Sequence, residues 1–126
     1  MQATLEKIII FCADVNRLVE FYEKFFGLTV EGKRHNSWTI MNAGTVDIAF
    51  HKISENFLTV PAAQFKASSN TKLVFEPGTS VTAFREYLLE NNVEVGEIKH
   101  FPGADYIVCD GRDPEGNVFQ LKQDLP

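Results

Sequence analysis

Apolar positions along the chain fall into two copies of one pattern. The stretches KIIIFCADVNRLVEFYEKFFGLTV (7–30) and KLVFEPGTSVTAFREYLLENNVEV (72–95) run in parallel at a constant offset of 65, with no gap. Lys7 falls on Lys72, Ile8-Ile9-Ile10 on Leu73-Val74-Phe75, Tyr22 on Tyr87, and Leu28 and Val30 on Val93 and Val95. Such spacing marks one supersecondary unit used twice. Each copy opens with a β-branched and aromatic run of strand length, followed by a capping residue, Asp14 in the first and Thr79 or Ser80 in the second. Val15, Leu18, Val19, Tyr22, Phe25 and Phe26 then recur at helical steps, and Gly27 supplies a left-handed stop. Val81, Phe84, Tyr87 and Leu88 repeat the helical spacing, with Asn91-Asn92 in place of the glycine. Short strands follow at 28–31, 38–42 and 46–51, and again at 93–99, 106–109 and 118–122. The predicted order in each half is strand, helix, strand, strand, strand.

A chain of 126 residues suits one domain with a proper core and is short for two ordinary domains. Within it the pattern gives a first module at about 1–53, a connection at about 54–70 and a second module at about 71–126. The connection, SENFLTVPAAQFKASSN, has little periodicity; a segment of that length either covers a cleft or ties the halves together. Hydrophobic residues make up 44% and charged residues 23%, which excludes a disordered chain. Eleven phenylalanines exceed what a small core needs, leaving an aromatic-lined cavity or an apolar subunit interface beside the plainer core reading.

The formal net charge of −5, with no basic cluster beyond Lys33-Arg34, speaks against nucleic acid as a partner and mildly for cationic ligands. The longest apolar run, Ile8 to Ala13, is far too short to span a membrane and no leader-like segment opens the chain, so a cytoplasmic protein is expected. Cys12 and Cys109 have no partners at metal-site spacing and are expected to be buried, reduced thiols.

Two β-α-β-β-β units, the stretch ADVNRLVEFYEKFFGL and the closing DPEGNVFQL together resemble the vicinal oxygen chelate superfamily. That group includes glyoxalase I, extradiol dioxygenases, fosfomycin-resistance enzymes and bleomycin-resistance binding proteins. The resemblance implies an α+β fold of two tandem modules, a curled mixed sheet around a cleft with helices on the outer face, and frequent homodimers. It also implies a divalent cation held by His and Glu side chains on equivalent strands. Carried onto this chain, the ligand positions are Lys7, Lys72, Gln120 and a fourth-strand residue, best matched by Asp47 with Ile48 or Ala49 open. A lysine ammonium has no lone pair to donate, and glutamine offers only a neutral oxygen. No metal and no cofactor is therefore expected. The histidines His35, His51 and His100 form no metal-binding spacing either.

Strand alternation places Ile9 and Phe11 beside Lys7, and Ala49 and His51 beside Asp47. It likewise places Val74 and Glu76 beside Lys72, and Val118 and Lys122 beside Gln120. Lysines there should pair with Asp47 or Glu76, since a buried ammonium is costly alone. They either neutralise carboxylates or receive an anionic group of a ligand. Trp38 lies in a stretch similar to one that lines the ligand crevice of antibiotic-binding members, with core or dimer packing as the other reading. The expected ligand-binding set is Lys7, Ile9, Phe11, Trp38, Asp47, His51, Lys72 and Gln120. The expected function is metal-independent binding of a small aromatic or cationic compound. The alternative is a lyase or isomerase, or a metal-dependent glyoxalase-like enzyme, acting on a small oxygenated substrate.

Overall fold

In KIIIFC, alternate side chains take opposite surroundings: Ile9 and Phe11 are exposed while Cys12 is fully buried, so the strand has a helix-covered face and an open one. The computed structural model describes residues 1–126, which divide into two compact units, Met1–Phe65 and Lys66–Pro126. The fold is α+β, with two α-helices and two mixed sheets of four and three strands, neither closed on itself.

In the first unit the elements are β1 (Lys7–Cys12), α1 (Val15–Phe26), β2 (Thr29–Glu31), β3 (Trp38–Asn42) and β4 (Asp47–Lys52), with sheet order β1-β4-β3-β2. Strand β1 runs parallel to β4 and the other neighbours are antiparallel. The Asp14 side chain accepts from Arg17 N at 3.1 Å and caps α1, a contribution of about 1 kcal/mol. Gly27 ends the helix at φ 67°, where a Cβ would be strained. Val15, Leu18, Val19, Phe21 and Tyr22 form the buried stripe of α1, and Tyr22 stacks on Phe50 of β4 at 5.5 Å. The Asn42-Ala43-Gly44 turn joining β3 to β4 places Gly44 at φ 97°.

The second unit contains β5 (Lys72–Phe75), α2 (Val81–Glu90), β6 (Tyr106–Arg112) and β7 (Val118–Asp124), in the order β5-β7-β6. Ser80, not Thr79, caps α2, and the Gln123 Oε1 of β7 accepts from Val81 N at 2.8 Å. Asn92, at φ 60°, takes the left-handed position filled by glycine in the first unit. The predicted strand at 93–99 is reduced to two bridges, Val95 to Gly111 and Lys99 to Val108. The register slips by one residue between them, which is a bulge; there the Gly96 carbonyl accepts from Arg85 Nε and from the Cys109 thiol instead of a ladder partner.

The Asp-Pro-Glu-Gly-Asn turn has a structural task. Asp113 is buried and accepts from Glu115 N, Asn117 N and Asn117 Nδ2 at 2.9–3.0 Å. The outward carbonyls of Pro114 and Glu115 hold Lys66 Nζ and Ala67 N. The intermodule connection itself carries two short 3-10 turns, Glu55–Phe57 and Ala62–Gln64. No helix is long and apolar enough to cross a membrane.

Candidate functional site

Register aligns the open faces of the two sheets residue by residue. In the first unit, Lys7 pairs with Asp47 and Asp47 with Asn42; Ile9 with Ala49 and Ala49 with Ile40; Phe11 with His51 and His51 with Trp38. In the second, Lys72 pairs with Val118 and Val118 with Arg112, while Val74 pairs with Gln120 and Gln120 with Asp110. Since Lys7 and Ile9 repeat as Lys72 and Val74, the partner of Gln120 in the first unit is Ala49. Asp47 lies level with Val118. The sequence-based preference for Asp47 was therefore one alternation early, because the turn before each fourth strand differs in length and hides the register.

The third row of the first unit is aromatic. His51 stands between Phe11, at 5.2 Å and tilted by 39°, and Trp38, at 5.4 Å and nearly perpendicular. Beside Phe11 and His51 the chain leaves a depression of about 470 Å³ completed by Lys52, Ile53, Ser54 and Phe57. Phe11 is 58% exposed and Phe57 79% exposed, large apolar surfaces on view to water. Lys52 is the only permanently charged group in that lining, and its ammonium lies 3.8 Å from Glu55. Of the set expected from sequence, Ile9, Phe11, Trp38 and His51 share this face with Lys7 and Asp47. Lys7 has its ion pair with Glu6, at 3.6 Å, and not with Asp47.

On the open face of the second unit, the residue that organises the site is Asp110, absent from the set expected from sequence. Lys72 Nζ donates to one carboxylate oxygen at 2.7 Å and Gln120 Nε2 to the other at 2.9 Å. Partial burial pushes the Asp110 carboxyl up, but the bonds from Lys72 and Gln120, with the Lys72 and Lys99 charges, outweigh it and hold the carboxyl below its ordinary value. The signal was present in YIVCDGR: extending the strand through Arg112 puts Asp110 in phase with Val108 and opposite Gln120. Ending the strand at Cys109 concealed it.

Lys72 thus pairs with neither Asp47 nor Glu76. Lys122, one step along the same face, bonds Asp124 at 2.7 Å and lies over the Tyr106 ring at 4.9 Å. Its ammonium is held above its ordinary value chiefly by that Asp124 bond. The remaining histidines serve loops: His35 Nδ1 accepts from Ser37 N, and His100 Nε2 bonds the Ala104 carbonyl. Cys109 is buried, and that burial raises its thiol pKa. Such a thiol is a poor nucleophile.

The divalent cation implied by the resemblance does not fit these side chains. The ligand positions present ammonium groups at Lys7 and Lys72, a methyl at Ala49 and an amide at Gln120, whose NH₂ is already turned to Asp110. No three His, Cys, Asp or Glu side chains converge as a metal site requires.

Comparison with known proteins supports the architecture. The profile of the Glyoxalase/Bleomycin resistance protein/Dioxygenase superfamily matches residues 4–121. No curated protein matches the sequence. Among solved structures, a possible glyoxalase from Bacillus cereus is 22% identical at a TM-score of 0.72, covering 97% of this chain and 100% of its own. The lactoylglutathione lyase from Agrobacterium tumefaciens is 15% identical at a TM-score of 0.71, covering 96% and 93%. The fosfomycin resistance protein FosX from Listeria monocytogenes is 14% identical at 0.74, covering 97% and 93%. At these identities the likeness is one of fold.

Proposed function

Because the chain belongs to the Glyoxalase/Bleomycin resistance protein/Dioxygenase superfamily, we propose that it uses the family scaffold to bind a small aromatic compound without a metal ion. The observation that carries this reading is the Phe11–His51–Trp38 row with its adjoining depression. Aromatic rings left half exposed on a rigid sheet offer stacking and edge contacts worth about 0.5–1.5 kcal/mol each beyond area burial. The lining holds no carboxylate, which favours the aromatic over the cationic half of the expectation. Metal independence rests on donor chemistry at Lys7, Ala49, Lys72 and Gln120. The lyase or isomerase reading, with Lys72 moving the proton, is disfavoured by the 2.7 Å ion pair between its ammonium and Asp110. Sequestration of a planar compound by a cytoplasmic homodimer is the fullest form of the reading.

Trp38 is the sole tryptophan, so its fluorescence reports directly on this wall. Titration with p-cresol, against cyclohexanol as an aliphatic control, should give a saturable change for the aromatic probe only. Phe11→Ala should weaken it about tenfold, the scale of a well-packed aromatic anchor, and a chelator should leave it unchanged. Equal response to both probes, or loss of binding on chelation, would contradict the proposal.

A further inference from the structure

The second unit holds a smaller niche of about 220 Å³ whose lining includes Lys72, Lys99, Phe101, Val108, Asp110 and Gln120. Its lining carries two ammonium groups, Lys72 and Lys99, and two carboxylates, Glu97 and Asp110, and both carboxylates are already engaged. Both oxygens of Asp110 are occupied, by Lys72 and Gln120, so this carboxylate is committed to the protein. Glu97, the other acid of the niche, has an 87% exposed side chain directed toward Arg85, 3.8 Å away. Lys99 has no carboxylate within ion-pair distance, although its field reaches Asp110. Lys72 spends one of its three N–H donors on Asp110 and retains two. The lining is formally neutral, yet Lys99 has no ion-pair partner and Lys72 keeps two donors, so an anion finds unspent cationic groups there. Beside them Phe101, 51% exposed, and Val108 form an apolar wall.

We infer that this niche is an anion site that takes a small carboxylate, with the carboxylate on Lys72 and Lys99 and the apolar body against Phe101 and Val108. Gln120 and Asp110 act as positioning residues: by clamping one side of the Lys72 ammonium they aim its remaining donors. A volume of about 220 Å³ lies below the roughly 300–1,000 Å³ of pockets for drug-sized ligands, so the acceptable body is about the size of one ring. The niche is lined by residues of the second unit alone and takes a different chemical group from the aromatic row proposed above.

Cyclohexanecarboxylate and cyclohexanecarboxamide, matched in shape and different in charge, test it. Binding is followed by NMR on the Gln120 side-chain amide, a signal local to the niche, so that a ligand on the first unit's wall is not mistaken for one here. The carboxylate should bind at least about tenfold more tightly than the amide, as expected for charge-assisted hydrogen bonds, and increasing salt should weaken it. Lys99→Met, at an exposed position, should remove about tenfold of carboxylate affinity and leave the carboxamide unchanged. Equal binding of the two compounds, an unmoved Gln120 amide, or full affinity in Lys99→Met would overturn the inference. Because Phe11→Ala leaves the niche intact, loss of aromatic binding in that variant with carboxylate binding retained separates this site from the one proposed above.

Discussion

The two modules repeat one backbone and use it for opposite side-chain purposes. At the middle of the open face, Ile9, Ala49 and Ile40 in the first unit correspond to Val74, Gln120 and Asp110 in the second: an apolar row against a polar one. One step along, Phe11, His51 and Trp38 have counterparts in Glu76, Lys122 and Val108. On the helix-covered face the contrast is one of volume. The pair Met41 and Ile48 becomes Gly111 and Phe119, two aliphatic side chains replaced by one aromatic ring over bare backbone. A duplicated fold keeps its strand pairing register across the central strands, while the side chains of both faces are free to diverge.

The sharpest way to break this comparison is Gly111→Ala. Its Cβ would lie 2.2 Å from Phe119 Cζ and 2.8 Å from the Glu94 carbonyl oxygen, and Phe119 is fully buried. Denaturant unfolding should show a loss of about 3 kcal/mol, the upper range for overpacking. Adding Phe119→Ile, which imports the first unit's choice, should recover part of the loss but not all, since the Glu94 backbone cannot retreat as a side chain can. An unaffected single variant would mean that the two cores are not filled as described.

Lys72→Met should cost about 0.5–1 kcal/mol, because both partners of its ion pair are 40–50% exposed and screened by water. Its pH signature is more specific. The folded Asp110 carboxyl is held below its ordinary value of 3.8, so its stabilisation is complete above that value and is lost as pH falls through the lower folded one. Acid unfolding of Lys72→Met should therefore lose some of its slope in that window, and carboxyl NMR should show Asp110 moved upward. The same substitution in the first unit, Lys7→Met, should change stability by less than about 0.5 kcal/mol, as its partner Glu6 is 83% exposed. Equal losses for the two lysines would erase the distinction between an organised ion pair and a solvated one.

Much of the fold could be read directly. The offset of 65, the Asp14 and Ser80 caps and the Gly27 stop gave both helices, and alternation in KIIIFC assigned its two faces. What escaped was register. Offsets between corresponding residues change along the chain because turns differ in length, so Ala49, not Asp47, is the counterpart of Gln120. Asp110 escaped for a similar reason: nothing local in CDGR tells where a strand ends when the next turn begins with Asp113. The pairing of Lys72 is a tertiary contact across 38 residues and has no local signature. The aromatic row is partly legible, since alternation puts Phe11 and His51 on open faces and Trp38 stands out as the sole tryptophan, but their adjacency follows only from the β1-β4-β3 order.

The central claim is that neither open face retains the donors for a divalent cation. It is tested most directly by elemental mass spectrometry of protein purified without affinity metal or chelator, expressed per chain. The account predicts far less than one zinc, nickel, iron or manganese ion per chain. A near-stoichiometric content of any of them would contradict it and would return His51 and Asp47 to consideration as ligands.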